Sequence, residues 1–209
     1  YTVFGFAKVK GAKRNTFLTY NKNVALSSAA NDPQFTTFFK DKLKFDEAFS
    51  AFIGREWLNL EKADETEFSA FCKKHGTVFA KYPRSFGGQQ IEKIETDEST
   101  DFPALYKKLK ENGQVLIEEK IKQHPAMNEL CPSSVNSIRI VTLRDKNGDV
   151  HYLYSLLRFG NGTKAVDNIT SGGMYILLDK DGKSASKAFC DKTGLFYDTH
   201  PMTGVDLLN

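Results

Sequence analysis

The sequence lacks several things, and each absence removes a class of function. No run of apolar residues approaches the length of a membrane span, and no secretory signal pattern opens the chain. Cysteine is scarce: Cys72, Cys131 and Cys190 are odd in number, far apart and without C-x-x-C spacing. That excludes a disulfide framework and a thiolate zinc site, and points to a reducing, cytoplasmic compartment. The four histidines form no H-x-E or H-x-x-x-H spacing, and nothing resembles a nucleophile elbow. Excess charge is missing too. The 29 basic residues face 26 acidic ones, and a net charge of +3 is too small to argue for nucleic acid or an anionic membrane. There is no internal repeat and no low-complexity linker.

What remains is an ordinary globular composition, 40% apolar and 26% charged, over 209 residues. That length suits one large domain or two small lobes. The segment NDPQFTTFFKDKLKFDEAFSAFIG starts with Asp32 and Pro33, stops at Gly54, and places its apolar residues mostly at helical spacing. It predicts one bent helix or two consecutive ones. Further helices are expected over 65–75, closed by Gly76, and over 101–112, closed by Gly113. Strand-like runs lie between them at 77–82, 90–95 and 114–121. From 134 onward the pattern turns β-rich: VNSIRIVTLR and DVHYLYSLLRF flank KNG, a hairpin signal, followed by strands at 174–179 and 185–190 around KDGK. The six prolines all fall outside these later β runs. The expected architecture is α+β, two lobes with a hinge near 120–133.

Four groups of residues could carry chemistry. Lys81 enters a loop containing Gly87 and Gly88, where backbone N–H groups could approach an anion. The lysine precedes the glycines and a strand follows, so this is no P-loop, and a hairpin with a flexible tip and a surface lysine is the simpler reading of these residues alone. EEKI at 118–121 ends an apolar strand at the expected hinge. Its acids could meet ribose hydroxyls while backbone reads an adenine edge, or could simply be solvated. Arg139 and Arg158 sit inside apolar strand runs, where a guanidinium needs an anion, either a protein carboxylate or a bound phosphate. VDNITSGG at 166–173 offers Asp167 and Asn168 for a cation or a phosphate oxygen, or is an Asx- and Gly-rich turn.

The order of these groups is more specific than any one of them. A lysine in FKDKLKF precedes K-x-P-x-x-x-G-G, EEKI, SSVNSIRIVTL, LRFG and VDNxxxGG. This series resembles the ATP-grasp superfamily. More narrowly it is similar to the sugar-transfer-associated ATP-grasp proteins found with hexapeptide transferases in exopolysaccharide gene clusters. KRNTFLTYNKNVALS and DKLKFDEAFSAFIGREWLNL share the likeness, and CPSSVNSIRIVTL is its most specific stretch.

The resemblance implies two α+β lobes whose antiparallel sheets clasp ATP. Residues 1–62 would be the N-terminal helical part, 63–121 the small lobe with a glycine flap, and 122–209 the start of the C-terminal lobe. Lys42 and Lys81 would hold the ATP phosphates beneath a flap tipped by Phe86, Gly87 and Gly88. Glu118, Glu119 and Ile121 would bind adenine and ribose. Arg139, Arg158 and Asn168 would face the γ-phosphate and an acyl-phosphate. The implied activity is Mg²⁺- and ATP-dependent activation of a carboxylate for attack by an amine or sugar-linked acceptor, in cell-surface polysaccharide assembly. A non-catalytic binding module beside glycosyltransferases and a hydroxyl phosphotransferase are the alternatives. The chain departs from the family in one respect: no E-x-N triplet, which would supply Mg²⁺ ligands, follows Gly173. Truncation of a longer protein is the expected reason, with the metal ligands unassigned.

Overall fold

The computed structural model describes residues 6–85, 91–163 and 167–208. In chain order its elements are α1 (Tyr20–Ala30), α2 (Thr36–Lys40), α3 (Lys42–Ala48), β1 (Trp57–Asn59), α4 (Glu65–His75), β2 (Thr77–Lys81), β3 (Ile91–Glu95) and α5 (Phe102–Glu111). There follow β4 (Leu116–Glu119), α6 (Pro125–Leu130), β5 (Ser137–Arg144), β6 (Val150–Phe159), β7 (Met174–Leu178), β8 (Ala188–Cys190) and β9 (Leu195–Tyr197). Contacts divide the chain into two units, one of Phe35–His124 and one of Tyr1–Gln34 with Pro125–Asn209. No helix among the described residues is long and apolar enough to cross a membrane.

In the smaller unit, four antiparallel strands are ordered β1-β4-β2-β3. β2 alternates, with Val78 and Ala80 buried between half-buried Thr77, Phe79 and Lys81. α4 starts where Asp64 accepts from the Glu67 amide at 2.9 Å and Glu67 accepts from the Asp64 amide at 2.9 Å, a reciprocal capping box. It delivers Phe68 and Cys72 into a core with Val78, Leu109, Leu116 and Ile117. Full burial of a side chain such as Phe68 contributes about 1.5–3 kcal/mol. α5 is capped by Asp101, which accepts from the Ala104 amide at 2.9 Å, and buries Phe102 and Leu109.

The smaller unit begins at Phe35, because Trp57–Asn59 forms an edge strand on β4 and Leu43 of α3 joins the same core. Of the two alternatives expected over 32–54, consecutive helices are found: the chain breaks at Asp41, whose backbone is extended and whose carboxylate caps α3. The phenylalanines of this segment are not core: Phe35, Phe39 and Phe52 are more than half exposed, and Phe39, Phe45 and Phe49 stack on one another instead.

In the other unit, β5 to β9 form a five-stranded antiparallel meander. One face carries Leu157, Phe159, Met174, Ile176 and Cys190, packed with Leu130, Cys131 and Leu207. A polar knot explains why CPSSVNS and LRFG belong together. Ser134 Oγ accepts from the Gly160 amide at 3.0 Å and donates to Asn136 Oδ1 at 2.9 Å. Asn136 Nδ2 in turn donates to the Met127 and Cys131 carbonyls. A Cβ at position 160 would lie 2.6 Å from Ser134 Oγ, so that approach requires glycine.

Candidate functional site

The smaller unit gathers charge on one sheet face. Register pairs Phe79 with Glu118 and Lys81 with Leu116, so Lys81 and Glu118 are diagonal neighbours within reach of long side chains. The Lys81 ammonium donates to Glu118 Oε2, and Arg55 Nη2 donates to Glu118 Oε1 at 2.6 Å. Arg55 also lies 3.8 Å from Asp46 of α3. Glu118 and Asp46 are each only 3% exposed. Lys42, at the start of α3, points its ammonium at the turn after β2. It donates to Ser85 O at 2.5 Å and Ser85 Oγ at 3.0 Å, while its own amide donates to Pro83 O at 2.9 Å. Asp41 Oδ2 accepts from Arg84 at 3.1 Å and ties the same turn to the start of α3.

The recess is a coupled electrostatic unit. Burial and then the charge of Lys81 hold the Lys42 ammonium below its ordinary value, against Glu118, Asp41 and Asp46. Burial lifts Asp46 above the usual carboxylate range, with Arg55 offsetting only part of it. Glu118 is also pushed up by burial, but the Arg55 hydrogen bond and the Lys81 charge outweigh this and leave it below its ordinary value. Four cations, Lys42, Lys81, Arg55 and Arg84, thus stand beside three carboxylates, Asp41, Asp46 and Glu118, a surplus of one positive charge that suits an anion. Two buried polar atoms in the cluster lack a hydrogen-bond partner, Asp46 Oδ2 and Arg55 Nε.

The remaining hinge residues lie apart from this recess. Glu119 Oε1 accepts from the Glu56 amide at 2.9 Å, and its Oε2 is 3.2 Å from His75, whose ring also contacts Glu56 at 3.1 Å. Ile121 is exposed just past β4. Gly87 and Gly88, expected at the flap, lie outside the described residues.

The other unit builds a second cationic group. Arg158 Nη2 donates to Asn168 Oδ1 at 3.0 Å and to Asp167 Oδ1 at 3.3 Å, and Asp167 Oδ2 accepts from the Ser137 hydroxyl. Arg158 Nε is buried without a partner. The loop carrying Asp167 and Asn168 is closed by the Gly173 amide, which donates to Asn168 O at 2.9 Å. Arg139 differs from its expectation of burial. Register places it on the same face as Arg158, yet β5 is an edge strand and Arg139 is exposed, with no ion pair among the described residues. Its charge is therefore stabilised by water and needs no protein carboxylate.

Asp46 and Arg55 were not singled out from the sequence. One signal for Asp46 existed: it lies three residues after Leu43 and so shares the buried stripe of α3. Arg55, between Gly54 and Glu56, carries no such mark. Among the described residues no three carboxylate, imidazole or thiol groups converge as a metal site.

None of the curated proteins compared with the chain matches it. Residues 73–209, from α4 through β9, match the family model described as sugar-transfer associated ATP-grasp. The match spans well over half of the chain, and the α+β architecture with two antiparallel sheets agrees with it. The chain belongs to the sugar-transfer associated ATP-grasp family, within an ATP-utilising enzyme superfamily.

Proposed function

We propose that the protein is an ATP-dependent ligase that activates a carboxylate as an acyl-phosphate for attack by an amine or similar acceptor. The supporting observation is the cationic cluster of the smaller unit, where the Lys42 ammonium donates to Ser85 in the turn after β2 and the Lys81 ammonium, at the end of β2, donates to Glu118. Two ammoniums sharing a half-buried space repel, and an oligophosphate relieves that repulsion. Lys42 and Lys81 would hold the phosphates, with Glu118 orienting Lys81 rather than reaching a ribose, since both its oxygens are engaged. Glu119 and Ile121, with the backbone between them, would receive adenine and ribose.

In the reaction a substrate carboxylate oxygen attacks the γ-phosphorus, the bond to the β-bridging oxygen breaks, and ADP departs. The acceptor nitrogen then attacks the acyl carbon, losing a proton, and inorganic phosphate leaves. Arg158, set by Asn168 and Asp167 and holding an unused Nε donor, would stabilise the charge that develops on the transferring group. Arg139 and Asn168 complete the catalytic set. Mg²⁺ bound to the phosphates would add charge neutralisation. An acceptor used in cell-surface polysaccharide assembly and a cytoplasmic site of action belong to the same proposal. Three buried cysteines, none in a disulfide, support the latter.

Calorimetric titration with ATP tests this reading. Lys81→Ala is expected to weaken ATP binding about tenfold or more, since a charge-assisted hydrogen bond is worth roughly 1.5–3 kcal/mol. Arg158→Ala is expected to lower turnover with ATP affinity nearly unchanged. ATP affinity unaltered by Lys81→Ala would remove the nucleotide assignment. Binding without ADP release in the presence of carboxylates and amines would favour a non-catalytic module.

A further inference from the structure

Resting on the nucleotide-binding reading of this recess, we propose that Arg55 is a positioning residue that frees Lys81 from Glu118 for a phosphate. Lys81 is not idle in the structure. Its ammonium is engaged by a carboxylate that is only 3% exposed. A ligand that drew Lys81 away from Glu118 without compensation would strand a buried anion.

The geometry supplies the compensation. Lys81 takes Oε2 of Glu118 and Arg55 Nη2 takes Oε1, so each cation holds its own oxygen. Arg55 Nε is buried and has no partner. Nε and Nη2 form one edge of the guanidinium fork, the edge that grips both oxygens of a carboxylate side-on. When Lys81 leaves, the spare Nε can take Oε2 and make the Arg55–Glu118 pair bidentate. Asp46, 3.8 Å from Arg55, keeps the guanidinium in place during the exchange. Position favours the same role: Arg55 stands just before β1, whose Trp57 pairs with Glu118 on β4. Lysine at 55 would supply charge but only a point donor, not a fork.

The test compares pyrophosphate, which needs Lys81, with adenosine, which does not. In Arg55→Met, Lys81 becomes the sole partner of Glu118, and pyrophosphate affinity is expected to fall about tenfold, near 1.4 kcal/mol, with adenosine affinity within about twofold. Adding Glu118→Gln to Arg55→Met removes the anion and should return pyrophosphate affinity to within about threefold of Glu118→Gln alone. Unchanged pyrophosphate binding in Arg55→Met overturns the proposal. Equal loss for both ligands, with a lowered melting temperature and no rescue by Glu118→Gln, also overturns it by making Arg55 merely structural. If Arg55→Met does not fold, Arg55→Lys decides: weaker pyrophosphate with unchanged adenosine supports the fork, and wild-type binding of both refutes it. Lys81→Ala separates the two levels of inference. If it leaves pyrophosphate binding intact, the nucleotide reading fails; if it abolishes binding while Arg55→Met does nothing, only the role of Arg55 fails.

Discussion

Gly173→Ala is the substitution whose consequence follows most directly from geometry. A Cβ at this position would lie 2.3 Å from the Asp167 carbonyl oxygen, 2.7 Å from its carbon and 2.8 Å from the Asn168 carbonyl oxygen. All three are backbone atoms, so no flexible side chain can swing aside. The 167–168 segment must retreat by about 1 Å to reach ordinary contact. That movement breaks the 2.9 Å hydrogen bond from the Gly173 amide to Asn168 O. Overpacking of this kind costs about 1–3 kcal/mol, and the lost hydrogen bond adds about 1 kcal/mol. At about 2–4 °C per kcal/mol for a chain of this size, the melting temperature should fall by roughly 5–15 °C. Asp167 and Asn168 also hold Arg158, so its guanidinium should lose its orientation, and turnover should fall further than the stability change explains. Circular-dichroism melts of Gly173→Ala, with Gly54→Ala as the control, measure the first effect. A Cβ at Gly54 meets nothing within 4 Å, so that variant should melt within about 1–2 °C of wild type. A Gly173→Ala protein that melts like the control would show that the loop closure is not as described.

Ser134→Ala should cost more than an exposed serine would. It strands the Gly160 amide and one Asn136 acceptor in a buried knot, about 1–3 kcal/mol by urea denaturation, and equality with a surface Ser→Ala would contradict the knot. Burial pushes the Cys72 thiol up to about 11, so at pH 8 only about one thiol in a thousand is ionised. Ellman's reagent should leave Cys72 unmodified until denaturant is added, and rapid labelling in the native protein would refute its burial. Glu118 sits below its ordinary value of 4.5, so its contribution to stability is complete above that pH and is lost as pH falls through the lower folded value. Glu118→Gln should therefore flatten the acid limb of a stability–pH curve below about pH 4.5, whereas an unaltered limb would mean that the pair contributes nothing.

Much of the fold was legible because its local signals are strong. Asp64 and Glu67 box the start of α4, Gly76 follows its end, and the turns KNG and KDGK separate alternating runs. The failures share a cause. Phe35, Phe39 and Phe52 have helical spacing yet remain exposed, because periodicity reports a stripe and not what covers it. β1 has only three residues, too few to show alternation, yet it brings Arg55 beside Glu118. Arg139 and Arg158 look alike in sequence, since both interrupt apolar runs. Sheet order separates them: β5 is an edge and β6 is interior, so only Arg158 must find its partners inside the protein.

The same distinction governs the lysines. The family resemblance implies that Lys42 and Lys81 face phosphates, while the residues alone leave Glu118 a solvated acid at a strand end. Pairing across β2 and β4 changes the status of that acid. Once Glu118 is buried between Lys81 and Arg55, it cannot act independently, and any anion that approaches Lys81 competes with it. Phosphate affinity in this recess is then a difference between two ion pairs rather than the strength of one. A recess with a single lysine and no internal anion would hold a phosphate more tightly but would discriminate less among anions. On the proposed reading, weak anions would lose to Glu118, and a polyphosphate that also engages Lys42 would win. The selectivity would then follow from Glu118 and Arg55, neither of which needs to touch the nucleotide.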